Sequence, residues 1–356
     1  MMTVRLREQV PLAPHTTLGL GGPARYFCEC ATEAQVREAL ALAQRRQIPA
    51  QIIGAGSNVV FSDAGYPGLV VKVTVGGATF RDAADTVEVS AGAGVEWDAL
   101  VRETVERGAT GIECLSGIPG TVGATPIQNV GAYGQEIADT LVSVTCLERE
   151  GLTRVVFTRD QCELAYRDSR FKRADRDRYV VLGVTLRLRR GTTPRLRYAE
   201  LEQAVRQSVD LEALEPASAV RVVRETVLRL RRRKSMVLDP TDPNARSVGS
   251  FFVNAVLSPE ACDELVRRWR ASGGSDPIPT FPADGQVKVP AAWLVEHAGF
   301  AKGYRHGGAG ISTRHALALV NFGGTSAELL ALARSIERAV DERFGIRLER
   351  EPVVVE

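Results

Sequence analysis

A chain of 356 residues exceeds one ordinary hydrophobic core, so two or three domains are expected. Apolar residues at 44% and charged residues at 25% give a globular balance, and 45 basic against 43 acidic side chains exclude the strongly basic face of a general nucleic-acid binder. No apolar run approaches the roughly 20 residues that span a bilayer, and the N-terminus has charges and a proline where a secretory signal needs an apolar core.

Thr32, with Gln35 three residues on, has the pattern of a capping box opening a helix with Val36, Leu40 and Ala43 on one side. Strands are predicted over 51–53, 59–61, 69–75 and 87–91, with glycine turns at Gly54-Ala55-Gly56 and Gly92-Ala93-Gly94, and a helix over 97–107. This mixture sets the class as α+β. Residues 116–134 contain five glycines, two prolines and almost no charge, which suits an ordered loop packed closely against something rather than a disordered linker. Residues 141–148, 153–157 and 179–188 read as strands, and 201–234 as helical and heavily basic. The composition breaks at Asp239-Pro240-Thr241-Asp242-Pro243. A helix-rich region follows, with a long amphipathic helix over 326–344, and 346–355 alternates like a strand.

The six cysteines, Cys28, Cys30, Cys114, Cys146, Cys162 and Cys262, include no CxxC pair, and buried free thiols in a reducing compartment are the expectation. Cys28 and Cys30 are two apart and in a strand would share a face, but no second ligand pair lies nearby and no metal is expected. The chain reads as a cytoplasmic monomer with no membrane or nucleic-acid partner. A small acidic ligand, needing only a local basic pocket, stays open.

Gly54-Ala55-Gly56 invites a dinucleotide-fold reading. A strand follows instead of a helix, and the third glycine is missing, so that reading fails on context. A strand-turn-strand remains, whose bare N–H groups can cradle a diphosphate or simply make a tight turn. Three glycine-rich segments within the first 135 residues offer the converging loops that a long cofactor needs.

The runs GAGSNVVFSDAG and GIPGTVGATPIQNVGAYGQEI, with the opening TLGLGGPARYF, resemble the UDP-N-acetylenolpyruvoylglucosamine reductases. That family belongs to a wider group of FAD-binding domains related to vanillyl-alcohol oxidase, and the match covers nearly the whole chain. The resemblance implies two FAD-binding subdomains, 1–72 and 73–233, with FAD between them, and an α+β substrate domain over 234–349 that closes over a UDP-sugar. A final strand near 350–356 can return to the first. FAD contacts are implied at Gly54, Ala55, Gly56, Ser57, Asn58, Gly117, Ile118, Pro119, Gly120, Gly123, Asn129, Gly131, Ala132 and Tyr133. Relatives that attach flavin covalently carry a histidine in the glycine turn. Ser57 and Asn58 stand here, so FAD is expected to bind noncovalently, with NADPH as co-substrate.

The chemistry so implied is hydride delivery to the terminal carbon of an enol ether, with charge building on a carboxylate and a proton given to the adjacent carbon. In Tyr166-Arg167-Asp168-Ser169-Arg170-Phe171-Lys172, composition alone suggests a solvated charged turn. The resemblance gives Arg167 the substrate carboxylate, which suits a bidentate guanidinium. In Gly249-Ser250-Phe251-Phe252, Ser250 is by itself a turn serine, and by resemblance the proton donor. Glu351 in Leu348-Glu349-Arg350-Glu351 matches the family's second acid, near that carboxylate. Arg350 stands where the family has proline, and Pro352 follows the glutamate. Tyr166, Tyr198, Lys234, Asn254, Lys302 and His315 match substrate contacts, the lysines as point charges for the diphosphate. Most of the basic run 229–234 reads as solvent-facing at a helix C-terminus. Phe281 replaces a tyrosine that closes over substrate in one subgroup, and it can cover but not donate a hydrogen bond. The alternatives are a flavin oxidase acting on a sugar alcohol or lactone with oxygen, which needs neither Lys234 nor Ser250, and a non-catalytic flavin or UDP-sugar binder, which would lack the Arg–Ser–Glu set.

Overall fold

Parallel strand pairs need a crossover, and the first part of the chain supplies one. In the computed structural model, which describes residues 4–356, a four-stranded sheet runs in the order Arg7–Pro11, Pro23–Cys30, Tyr66–Val73, Ala50–Ile53. The last three strands are parallel neighbours, and the helix Glu33–Arg46 makes the return between Cys30 and Ala50. Residues 1–3 of the expected 1–72 segment lie outside the description. Thr32 caps the helix by accepting from the Gln35 N–H, while the Gln35 side chain accepts from the Ala31 N–H instead of that of Thr32. Val36, Leu40 and Ala43 are buried with Ala39 and Leu42.

A second sheet is antiparallel, in the order Arg154–Thr158, Leu141–Glu148, Tyr179–Arg190, Thr86–Gly92, Ala78–Asp82. Val87, Val89 and Ala91 point into the same core as Val180, Leu182, Val184, Leu186 and Leu188, and the helix Trp97–Glu106 adds Trp97, Leu100, Val101 and Val105. The basic region is two helices, Ala199–Arg206 and Pro216–Arg233, separated by a short turn at Leu211–Ala213. Arg229, Arg232 and Arg233 are exposed as expected, but Arg231 and, two turns earlier, Arg224 are buried. Arg224 grips Asp98 with two hydrogen bonds of 2.7 and 2.8 Å. Arg231 donates to the Met236 carbonyl at 2.7 Å, and burial lowers its pKa to about 10.

Contacts divide the chain into two units. One comprises the segment up to residue 10, 24–56 and 66–238; the other comprises 11–23, 57–65 and 239–356, so a boundary falls on the proline-rich break at Asp239. In the second unit, Ser247–Ser250, Ala318–Asn321, Ala309–Ile311 and Arg305–His306 form one sheet, and Ala255–Leu257, Gln286–Val289 and Phe281–Ala283 another. Three helices, Pro259–Ala271, Ala291–His297 and Ser326–Phe344, pack in its core with Trp269, Leu294 and Ile336. The long helix starts at a complete capping box between Thr325 and Glu328 and ends at Gly345 with φ +70°, a left-handed cap that glycine adopts without strain. The expected strand over 346–355 is shorter. Only Val353–Val355 pairs, in parallel with Val59–Phe61, while Arg350 forms an isolated bridge to Phe252 and Pro352 interrupts between them. Among the described residues no helix is long and apolar enough to cross a membrane, and no cluster of three or more His, Cys, Asp or Glu is arranged for a metal. Five of the six cysteines are buried, and burial pushes the thiols of Cys114 and Cys146 up.

Candidate functional site: glycine loops, an arginine turn and adjoining serine and glutamate segments

In the first unit the three glycine-rich segments meet. The Gly123 N–H donates to the Ala93 carbonyl at 2.9 Å, Val122 N–H to Val95 at 2.9 Å, and Trp97 N–H to Gly120 at 3.0 Å. A Cβ at Gly123 would lie 2.5 Å from that of Ala93, and one at Gly54 would lie 2.4 Å from Thr121 Oγ1. Both glycines are therefore demanded by the close approach of the loops. Gly117 (φ +72°) donates its N–H to Asp98 Oδ1 at 2.6 Å, which ties the start of the long loop to the pair of half-buried Asp98 with buried Arg224. The loop backbones at 54–56 and 117–123 carry no acidic side chain, and Ile118 and Pro119 are half-buried within the second of them. Bare backbone without carboxylates suits an anionic diphosphate, so these residues fit FAD. Removing Arg224 takes two hydrogen bonds from the half-buried Asp98 carboxylate, so Arg224→Ala is expected to cost about 1–3 kcal/mol of stability. Thermal unfolding measures it, and an unchanged melting temperature would mean that Asp98 finds another partner.

The arginine turn is built against the same long loop. Ala165 and Asp168 exchange two backbone hydrogen bonds, at 3.0 and 3.1 Å, and turn the chain so that Arg167 takes φ +54°. Arg167 Nη2 donates to the Gly131 carbonyl, and Lys172 Nζ donates to the Arg167 carbonyl at 3.1 Å. A Cβ at Gly131 would come within 3.0 Å of Arg167 Nη1. Asn129 is buried. Its amide NH₂ donates to Glu136 Oε2 at 2.7 Å and to the Ala165 carbonyl at 3.0 Å, and its oxygen accepts from Ala138 N–H at 3.0 Å. This one side chain ties the long loop to the arginine turn. Tyr166 is half-buried beside Arg167.

A third group forms around Tyr133, which with Gly134 turns the hairpin from Gly131–Ala132 to Gln135–Glu136. Glu113, missed in the sequence, is fully buried and holds that hairpin by accepting from Gln135 Nε2 at 2.9 Å. The Tyr133 and Tyr198 rings meet edge to face with centroids 5.4 Å apart, and Lys234 Nζ lies 5.8 Å from the Tyr133 centroid. Lys234 pairs with Glu200 at 2.6 Å, a partner that the sequence did not reveal. Burial pushes the Tyr133 hydroxyl up to about 12, so it is a hydrogen-bond donor at neutral pH. Tyr133, Tyr198 and Lys234, expected as ligand contacts, thus come together.

In the second unit Ser250 ends the strand Ser247–Ser250, between Gly249 (φ +75°) and the buried Phe251 and Phe252. Phe251 N–H donates to the Leu317 carbonyl at 2.8 Å and its carbonyl accepts from Glu351 N–H at 2.9 Å. Ser250 and Glu351 are therefore carried on adjoining extended segments. Asn58 Nδ2 donates to the Glu351 carbonyl at 3.2 Å, and the Asn58 carbonyl accepts from Val353 N–H at 3.0 Å, so the 57–65 segment braces the same stretch, with Ser57 half-buried at its start. Asn254 Oδ1 accepts from Ala291 N–H at 3.0 Å, at the start of the helix Ala291–His297. His315 Nδ1 accepts from Leu317 N–H at 3.2 Å, which puts the ring proton on Nε2. Lys302 is half-exposed, 3.7 Å from Glu296, and Phe281 is 51% exposed at a hairpin strand.

Residues 24–156 match the FAD binding domain family, and residues 240–355 match the family described as UDP-N-acetylenolpyruvoylglucosamine reductase, C-terminal domain. The chain is 46% identical over 359 aligned residues to the UDP-N-acetylenolpyruvoylglucosamine reductase of Thermobifida fusca, covering 99% of each. It is 44% identical to that of Streptomyces avermitilis, covering 100% of this chain and 96% of the relative. The crystal structure of the UDP-N-acetylenolpyruvylglucosamine reductase from Thermus caldophilus covers the whole chain with a TM-score of 0.65 at 24% identity, a likeness of fold. The α+β class and the FAD-binding fold expected from the sequence are those of the protein. It is an FAD-dependent oxidoreductase, and the chain belongs to the UDP-N-acetylenolpyruvoylglucosamine reductase family.

Proposed function

We propose that this enzyme reduces the enolpyruvyl ether of UDP-N-acetylglucosamine enolpyruvate to UDP-N-acetylmuramate with NADPH, as a cytoplasmic monomer making a peptidoglycan precursor. Bound FAD supplies the hydride. The Arg167 guanidinium holds the substrate carboxylate and stabilises the negative charge that grows on it as the terminal carbon becomes a methyl group. The Ser250 hydroxyl, protonated at neutral pH, gives its proton to the adjacent carbon and is refilled through a relay. Glu351 is the second acid, near the carboxylate. Lys234 and Lys302 serve the diphosphate, Lys234 by exchanging its carboxylate partner Glu200. Tyr166, Tyr198, Asn254 and His315 complete the substrate contacts. Gly54, Ala55, Gly56, Ser57, Asn58, Gly117, Ile118, Pro119, Gly120, Gly123, Asn129, Gly131, Ala132 and Tyr133 serve the cofactor. Division of the FAD-binding part into subdomains 1–72 and 73–233, ahead of a 234–349 substrate domain, belongs to the same reading.

The observation that carries the reading is the hydrogen bond from Glu351 N–H to the Phe251 carbonyl, which sets the serine and the glutamate on neighbouring segments. Isotope placement tests it. With hydride-labelled NADPH the label should enter the product's methyl group, and in deuterated water one solvent deuteron should enter the adjacent carbon. Label in neither position would refute the reaction. Noncovalent FAD is supported by Ser57 and Asn58, which stand in the glycine turn where covalently flavinylated relatives carry a histidine. Acid or heat should release intact FAD into solution, and colour that stays with the denatured chain would contradict this.

A further inference from the structure

The segment that carries Glu351 is not a regular strand, so something other than a ladder must hold it. Its backbone is pinned at three points: Val253 N–H to Glu349 carbonyl at 2.9 Å, Glu351 N–H to Phe251 carbonyl at 2.9 Å, and Asn58 Nδ2 to Glu351 carbonyl at 3.2 Å. Between the first two lies Arg350, whose guanidinium reaches the long helix and binds both oxygens of Glu337, at 2.5 and 2.8 Å. The pair is about a quarter exposed on each side. The long helix is the best anchored element near it, with Leu329, Leu332, Ala333, Ile336 and Val340 fully buried. On the other side of Glu351 stands buried Pro352, which restricts Glu351 itself to extended backbone.

We infer that the Arg350–Glu337 fork is a positioning device for Glu351, doing through the long helix what a proline at 350 would do through its ring. A planar fork bound to both carboxylate oxygens fixes direction as well as distance, which a single contact does not. Arg350 also occupies the non-hydrogen-bonded side of its bridge to Phe252, because the two bonds of that bridge belong to residues 349, 351, 251 and 253. Its own N–H takes no part in that bridge, so the position tolerates proline, and the side chain is free to act as the clamp.

The inference rests on the reading of Glu351 as an acid acting on substrate, and four variants separate the two. Arg350→Ala and Glu337→Gln should each lower kcat for the sugar step between about 10- and 100-fold, the range for a displaced catalytic group. KM for the UDP-sugar should change less, and reduction of the flavin by NADPH should keep its rate. Arg350→Pro should recover most of what Arg350→Ala loses, a rescue that a merely stabilising ion pair would not show. Melting temperatures of all variants check that each is folded. If folded Arg350→Ala and Glu337→Gln reduce the sugar at the wild-type rate while Glu351→Gln is slow, the positioning role is wrong and the acid stands. If Glu351→Gln is as fast as wild type, the acid and its clamp both fall.

Discussion

Ser250→Ala should leave reduction of the flavin by NADPH near its wild-type rate and slow reoxidation by the enolpyruvyl sugar by about 10²–10⁴-fold, the contribution of a positioned acid. The first half-reaction needs no proton on the sugar carbon; the second does. Substrate affinity should change little, because a single hydroxyl holds little of a UDP-sugar. The strand that carries Ser250 is fixed by Phe251, bonded to the Leu317 carbonyl on one side and to Glu351 N–H on the other, so removing the hydroxyl should not disturb the backbone. Stopped-flow absorbance of the flavin resolves the two steps. Equal slowing of both would make Ser250 a structural residue.

Arg167→Ala should weaken binding and turnover together, because a carboxylate contact exists before hydride transfer and strengthens during it. A hydrogen bond to a charged group contributes about 1.5–3 kcal/mol, so kcat/KM for the sugar should fall at least tenfold. Arg167→Lys should recover only part of this, since an ammonium cannot pair with both carboxylate oxygens. The residue sits at φ +54° on a turn held by Asn129 and Lys172, so its melting temperature belongs in the measurement. A fall in turnover with unchanged KM would remove the ground-state contact and leave Arg167 a purely transition-state role.

The fold was legible where local pattern is strong. The strand Leu141–Glu148 and the helix Ser326–Phe344 stand where the sequence predicts them, one by β-rich composition and the other by its amphipathic pattern. That the long glycine loop packs also agrees with its apolar, nearly uncharged composition, which suits an ordered loop rather than a disordered linker. What the sequence conceals is pairing across distance. Arg224 and Arg231 look like part of a solvated basic helix, and only their partners Asp98 and the Met236 carbonyl show that they are buried. The strand Pro23–Cys30 is not predicted because its leading proline and the consecutive buried residues Phe27 and Cys28 break the alternation. The three-residue strands of the second unit have too few positions for alternation, and their partners define them. At the candidate site the sequence motifs identify residue types and not their supports. Glu113, Glu200 and Glu337 lie in unremarkable contexts, and each takes its role from a side chain 22, 34 or 13 residues away.

The most direct test uses the wild-type protein without oxygen. One equivalent of NADPH should bleach the bound flavin, and one equivalent of the enolpyruvyl UDP-sugar should then restore the oxidised spectrum in the absence of air, with UDP-N-acetylmuramate as product. A flavin that stays bleached with the sugar and regains its colour only when oxygen is admitted would contradict the proposed reduction and make the enzyme an oxidase.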